Sequence, residues 1–312
     1  MPKEIYSIAD LRDWAAATKD APIPLRLSVF GDPVAHSASP PMHNAALEHC
    51  GLPVRYTRLH IGAPDLAEAV RLLPKAGFLG TNVTIPHKHA MPGLMDEVDQ
   101  RAGQIGVVNT VVVDGDKLRG FNTDGPGLVR ALRADFGVDL RDLRVLLLGA
   151  GGGAGRAIAW QCAIENCERL VLVNRTVEKA AALAQEIKST FAAARVGGPG
   201  DRLIVAPFEN AALRAQLENI DLIINATDVG LKAGDPSPLA ASLISAHHMV
   251  YDTIYVAGRT PLLRAAEQSG ARVANGLSML LHQGALSFEI WFNREAPLAV
   301  MESALRKAVG QL

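Results

Sequence analysis

Short apolar runs alternate with longer stretches of helical spacing along the whole chain. Residues 25–30 form an apolar run that predicts a strand. Ser39 then caps a predicted helix with Pro40 at its first position, running toward Cys50 with Gly51 just past its end. Residues 56–61 alternate as a strand, 64–76 follow an amphipathic helical pattern, and 80–86 read as a strand that opens onto Lys88. Strands over 107–113 and 117–121 flank Asp114-Gly115-Asp116, which predicts a hairpin.

The second half begins with a helix near 125–136. A buried strand over 145–148 runs straight into a glycine-rich loop. A helix over 154–165, a strand over 170–173 and a helix over 176–188 follow, then strands over 220–224 and 249–252. Residues 196–201 are a predicted loop. The last predicted helices lie near 276–293 and 295–309. This alternation predicts an α/β fold with mostly parallel sheets and crossover helices. Two domains are expected: one from 1–124 with 276–312, the other over 125–275. Residues 1–24 precede the first strand, and extra edge structure is the simplest expectation for them.

Composition narrows the function classes. A net charge of −1 gives no broad attraction to nucleic acid or anionic membrane. No apolar stretch reaches the roughly 18 residues of a membrane span, and the N-terminal sequence lacks signal-peptide features, so a cytoplasmic protein is expected. Three cysteines, Cys50, Cys162 and Cys167, argue against a disulfide framework and fit a reducing compartment. Cys162 and Cys167 read as ordinary thiols. His36, His43, His87 and His89 lack a companion carboxylate or cysteine set, so they read as hydrogen-bonding histidines and no metal is expected.

The loop after the 145–148 strand is Gly149-Ala150-Gly151-Gly152-Gly153-Ala154-Gly155-Arg156. Strand, glycine loop and helix in that order suit a dinucleotide pyrophosphate: glycines let the backbone approach, and the helix start supplies N–H donors. Ala154 stands at the third position of the G-x-G-x-x-G pattern, a tolerated variant. At the end of the next strand, where an acid would bind the ribose of NAD, the chain has Asn174-Arg175-Thr176, with Lys179 one turn on. A guanidinium there suits a 2′-phosphate, so NADP is expected over NAD. Thr227, after the 220–224 strand, is expected to line the nicotinamide pocket.

Two further phrases carry chemistry. Lys88 closes Gly80-Thr81-Asn82-Val83-Thr84-Ile85-Pro86-His87-Lys88, and Asp124 closes Gly120-Phe121-Asn122-Thr123-Asp124. A lysine and a carboxylate that meet in a cleft can pass a proton to or from a substrate oxygen. Ser37 and Ser39, two apart before a helix, present hydroxyls and helix-end amides together, which suits a small carboxylate.

These phrases appear in order over about 25–295, together with His43-Asn44, Val108-Asn109-Thr110, Asn225-Ala226-Thr227, Asp252-Thr253-Ile254-Tyr255 and Gly276-Leu277-Ser278-Met279-Leu280-Leu281-His282-Gln283-Gly284-Ala285. The set resembles the shikimate/quinate dehydrogenase family. The resemblance implies an N-terminal α/β substrate domain, completed by the C-terminal helices, and a Rossmann-type NADP domain, with a cleft between them. It implies NADPH-linked reduction of 3-dehydroshikimate to shikimate, in aromatic amino-acid biosynthesis. Ser37, Ser39 and Tyr255 would hold the substrate carboxylate. Thr84, Asn109 and Gln283 would bind ring hydroxyls, Lys88 and Asp124 would face the reacting oxygen, and Gly276 would adjoin the cofactor. An NAD-linked quinate/shikimate dehydrogenase and a ligand-sensing regulator of the same fold are the rival readings. A monomer or homodimer binding only small molecules is expected. The chain departs from the family pattern in one extra loop residue before Arg156, in Asp228 and Leu231, and in Val256-Ala257 after Tyr255.

Overall fold

The computed structural model describes residues 3–192, 202–232, 234–256 and 258–310. The loop expected over 196–201 lies outside them. The chain forms two compact units: residues up to Thr123 with those from Leu281 onward, and Asp124–Leu280.

The first unit is built on a seven-stranded sheet. Its strands are β1 (Ile5–Ser7), β2 (Leu25–Gly31), β3 (Arg55–His60), β4 (Gly80–Val83), β5 (Glu97–Val98), β6 (Thr110–Asp114) and β7 (Lys117–Phe121), in the spatial order β1-β3-β2-β4-β6-β7-β5. β1, β3, β2 and β4 are parallel; β6 pairs antiparallel with both β4 and β7. Phe30, Leu59, Val83, Val108 and Val111 lie in its core with no more than 2% exposure. The expected hairpin joins β6 to β7 through Gly115-Asp116, with Gly115 at φ +61. A left-handed first turn residue is the glycine-favouring feature of a two-residue hairpin loop.

Residues before β2 supply the expected edge structure. β1 pairs in parallel with β3, and two short helices follow, Ile8–Arg12 and Trp14–Ala17. Trp14 anchors them, its ring 4.9 Å from Tyr6 and 5.1 Å from Phe78. β4 ends at Val83, short of the expected Pro86; proline has no N–H to extend the ladder. The expected helix over 64–76 is a short 3₁₀ turn, Ala63–Asp65, followed by Leu66–Leu72.

Ser39 is not a helix cap. The helix spans Ser39–His49 with Ala38 at the N-cap and no side-chain cap bond. A cap side chain accepts from the second or third helical N–H, and here those positions are Pro40 and Pro41. There is nothing to cap, and two helix-end amides expected to serve a carboxylate do not exist.

The second unit is a six-stranded, wholly parallel sheet: β8 (Arg144–Leu148), β9 (Arg169–Val173), β10 (Leu203–Ala206), β11 (Leu222–Asn225), β12 (Met249–Asp252) and β13 (Arg272–Asn275), in the order β10-β9-β8-β11-β12-β13. Val145, Leu146, Leu147 and Leu148 are 0% exposed, as expected of a strand covered on both faces. Strand order reverses between β8 and β11. Ligands of such sheets bind at that point, beyond the carboxyl ends of the strands.

Candidate functional site

The glycine loop sits at the reversal. β8 ends at Leu148, the chain turns through Gly149 at φ +86, and a helix runs Gly153–Ile164. The turn is held by Gly149 and Ala150 N–H, which donate to the Val173 carbonyl at 2.8 and 3.2 Å. A Cβ at Gly155 would lie 2.1 Å from the Gly149 oxygen. Gly155, one place beyond Ala154, therefore supplies the close helix–strand packing. Gly152 is the N-cap, so the first-turn amides of Gly153, Ala154 and Gly155 have no partner within the helix. Gly151 N–H donates to Asn174 Oδ1 at 3.2 Å, and Asn174 Nδ2 donates to the Thr176 carbonyl at 2.9 Å. Arg156 ion-pairs with Glu186 of the Val177–Ala192 helix, which makes it a link between two helices.

Gly149, Gly151, Gly152, Asn174, Arg175, Thr176, Lys179 and Thr227 line one cavity of about 450 Å³, with Phe208, Asp228 and Pro238. Arg175, Thr176 and Lys179 are exposed at its rim, and no acid stands in the Asn174-Arg175-Thr176 segment after β9. The tight turn at Gly149, where a Cβ would lie 2.7 Å from Thr227 Cγ2, and the cationic rim fit a phosphorylated dinucleotide. Phe208, after β10, was not anticipated; its strand gives too weak a sequence signal to place it here.

Asn225 and Asp252 end adjacent parallel strands. Asp252 is fully buried, and its carboxyl accepts from Asn225 Nδ2 at 2.9 Å, Thr260 Oγ1 at 2.6 Å and Ile254 N–H at 3.2 Å. Burial pushes that carboxyl above its ordinary range. Asn225 Oδ1 in turn accepts from the Thr227 hydroxyl at 2.7 Å. Thr227 is thus fixed by a buried framework while it lines the cavity. Gly276 is required sterically, since a Cβ there would sit 1.9 Å from the Thr253 oxygen. Burial raises the Tyr255 phenol.

In the first unit, Lys88 lies half-buried on the turn after β4. His87 anchors that turn: it is buried, and its Nε2 bonds the Ile61 carbonyl at 2.6 Å. Val108 N–H donates to the Lys88 carbonyl at 3.1 Å. Thr84 precedes the turn, its N–H on the Phe30 carbonyl at 2.9 Å. Asp124, 5% exposed, is the first residue of the Asp124–Phe136 helix and of the second unit. Among the described residues no group of three or more His, Cys, Asp or Glu could hold a metal. The three cysteines are free.

Asn109 and Gln283 belong to a buried polar chain. Asn109 Oδ1 accepts Thr123 N–H at 2.8 Å, and Asn109 Nδ2 donates to Thr123 Oγ1 at 3.0 Å. The Thr123 hydroxyl also reaches Gln283 Oε1 at 3.4 Å. Ser287, one helical turn beyond Gln283, joins Thr110 and Asn82, each at 2.9 Å. Tyr56 then donates to Asn82 Oδ1 at 2.8 Å, with the Ser39 side chain close to its hydroxyl. Ser39 N–H donates to Ser37 Oγ at 3.3 Å, leaving the Ser37 hydroxyl proton for an outside acceptor. Tyr56, Asn82, Thr110, Thr123 and Ser287 were not assigned from sequence; only Asn82 carried a signal, as a polar residue inside a buried strand.

Comparison with known proteins covers most of the chain. Residues 29–111 match the shikimate dehydrogenase substrate binding domain, 131–233 match shikimate / quinate 5-dehydrogenase, and 276–306 match the shikimate 5'-dehydrogenase C-terminal domain. The chain is 40% identical over 283 residues to shikimate dehydrogenase (NADP(+)) of Methanopyrus kandleri, spanning 89% of this chain and 94% of that one. It is 41% identical over 285 residues to the Moorella thermoacetica protein of the same name, spanning 91% and 93%. Shikimate 5-dehydrogenase of Thermus thermophilus, solved in complex with NADP(H) and shikimate, superposes with a TM-score of 0.79 at 38% identity, covering 91% and 99%. The chain belongs to the shikimate dehydrogenase family.

Proposed function

We infer that this chain is an NADP-dependent shikimate dehydrogenase, which reversibly reduces 3-dehydroshikimate to shikimate in aromatic amino-acid biosynthesis. The carrying observation is identity of about 40% along nearly the whole length of relatives named as NADP(+) enzymes. The absence of an acid in Asn174-Arg175-Thr176 supports the same cofactor. The NAD-linked quinate and sensor readings are not favoured. No described helix is long and apolar enough to cross a membrane, and a cytoplasmic location accords with that.

The bound nicotinamide supplies and accepts the hydride. Ser37 and Ser39 hold the substrate carboxylate, with Tyr255 as a further donor. Thr84, Asn109 and Gln283 bind ring hydroxyls, held in register by the Thr123–Ser287–Asn82 hydrogen bonds. Lys88 gives a proton to the carbonyl oxygen as hydride arrives and takes it back in the reverse direction, with Asp124 orienting the ammonium. Gly149 to Ala154 receive the pyrophosphate, Asn174, Arg175, Thr176 and Lys179 the adenosine phosphate, and Thr227 and Gly276 the nicotinamide end.

Four pairings test this: shikimate or quinate with NADP⁺ or NAD⁺, followed by reduced-nicotinamide absorbance. Turnover is expected with shikimate and NADP⁺; preference for quinate or NAD⁺ would refute the assignment. Arg175→Ala is expected to raise KM for NADP⁺ about ten-fold or more and leave NAD⁺ unaffected, the effect of one lost charge-assisted hydrogen bond to the 2′-phosphate. An equal rise for both cofactors would remove the phosphate role.

A further inference from the structure

We propose that Arg58 is a cationic positioning residue of the substrate-carboxylate site, tying down the Ser37 loop and drawing the carboxylate to the Ser37 and Ser39 hydroxyls. The inference rests on the reading that those serines hold the carboxylate. Tyr56 and Arg58 lie two apart on β3, so their side chains leave the same face of the sheet. The Tyr56 hydroxyl, which donates to Asn82 at 2.8 Å, lies close to the Ser39 side chain on that face. Arg58 Nη2 donates to the Ser37 carbonyl at 2.7 Å.

The rest of that guanidinium is unspent. Its Nε is buried without an acceptor, and among the described residues no carboxylate pairs with it. Asp32, the acid of the same loop, is bonded to His60 at 2.9 Å. A guanidinium presents five N–H donors in a rigid fork matched to a carboxylate. A half-buried cation without a counter-ion is costly, and an arriving anion removes that cost. Pro40 and Pro41 sharpen the need, because they delete two of the amides with which a helix start would otherwise greet an anion. Ser37 and Ser39 alone offer neutral donors. Arg58 supplies the missing charge and, through the Ser37 carbonyl, sets the loop from which the Ser37 hydroxyl points.

The test compares wild type with Arg58→Met, Arg58→Lys and Ser37→Ala in the full chain. Calorimetry follows binding of shikimate and of its uncharged methyl ester, beside steady-state KM and kcat. Arg58→Met keeps the aliphatic stem and removes the charge. It is expected to weaken shikimate roughly ten-fold, as for one charge-assisted contact. Ester affinity is expected to fall clearly less than shikimate affinity, the smaller loss reporting the Ser37 loop alone, and KM for NADP⁺ is expected to stay unchanged. Arg58→Lys is expected to restore part of the shikimate affinity, and added salt is expected to weaken shikimate binding less in Arg58→Met than in wild type. Equal losses for acid and ester would reduce Arg58 to a packing role, and no loss would remove it from the site. If Ser37→Ala leaves shikimate binding intact while Arg58→Met weakens it, the serine reading itself fails, and the proposed geometry with it.

Discussion

Lys88→Ala is expected to lower kcat about 1,000-fold, with shikimate and NADP⁺ still binding. Hydride arriving at a carbonyl carbon leaves its oxygen anionic unless a proton comes with it, and a positioned general acid is worth roughly 10²–10⁴-fold. Lys88 is positioned without help from a ligand. The turn that carries it is pinned through His87 to the Ile61 carbonyl and through its own carbonyl to Val108. Removing the ammonium therefore deletes the proposed proton donor without loosening the backbone. The serines, Asn109 and Gln283 proposed to bind the substrate remain, so KM for shikimate should move far less than kcat. On the proposed relay, Asp124→Asn should lower kcat in the same direction, a neutral amide being a weaker partner for an ammonium than a carboxylate. Full turnover by Lys88→Ala would end the proton-transfer assignment. A loss of shikimate affinity matching the loss of rate would recast Lys88 as a binding residue.

The parts of this molecule legible in sequence are those whose physics is local. Residues 145–148 read as a buried strand because both faces are covered and every position is apolar. The glycine loop reads as a tight strand-to-helix turn because Gly155 answers to a close backbone contact with Gly149 inside the motif, whereas Gly149 answers to Ala226 and Thr227 outside it. β10 and β13 were not anticipated: each is four residues long and part-exposed, and β13 reads Arg-Val-Ala-Asn. Ser39 reads as a cap by residue type, but Pro40 and Pro41 leave no second or third helical amide to serve. The polar chain behind Asn109 was not legible. Asn82 and Ser287 are 205 residues apart in sequence, and only the fold makes them partners. Arg58 reads only as a polar position of an alternating strand, because its partner, the Ser37 carbonyl, is brought to it by the fold.

His43→Phe is expected to remove most of the acid sensitivity of the first unit. His43 is 0% exposed, and neither ring nitrogen has a hydrogen-bond partner. Its ring stacks on Tyr56 with centroids 4.5 Å apart and an interplanar angle of 9°, and it faces Trp291 at 5.3 Å. Burial lowers its pKa from 6.5 to about 3. The sign follows from proton counting. Between those values the unfolded chain binds a proton that the folded chain refuses, so stability falls as pH drops from 6.5 toward 3 and is unaffected by this group above 6.5. Each pH unit in that window costs on the order of 1.4 kcal/mol. Urea unfolding at pH 7.5 and 4.5 should show wild type losing about 2–3 kcal/mol more than His43→Phe over the interval. Glu68 on Arg12 and Asp221 on Arg144 also weaken in acid, but equally in both proteins, so the difference isolates the imidazole. Equal losses would mean the ring is protonated in the folded state. The stacked ring also backs Tyr56, which contacts both Ser39 and Asn82. Because the folded chain refuses the His43 proton down to about pH 3, shikimate affinity of the folded protein should hold across the window in which its stability falls.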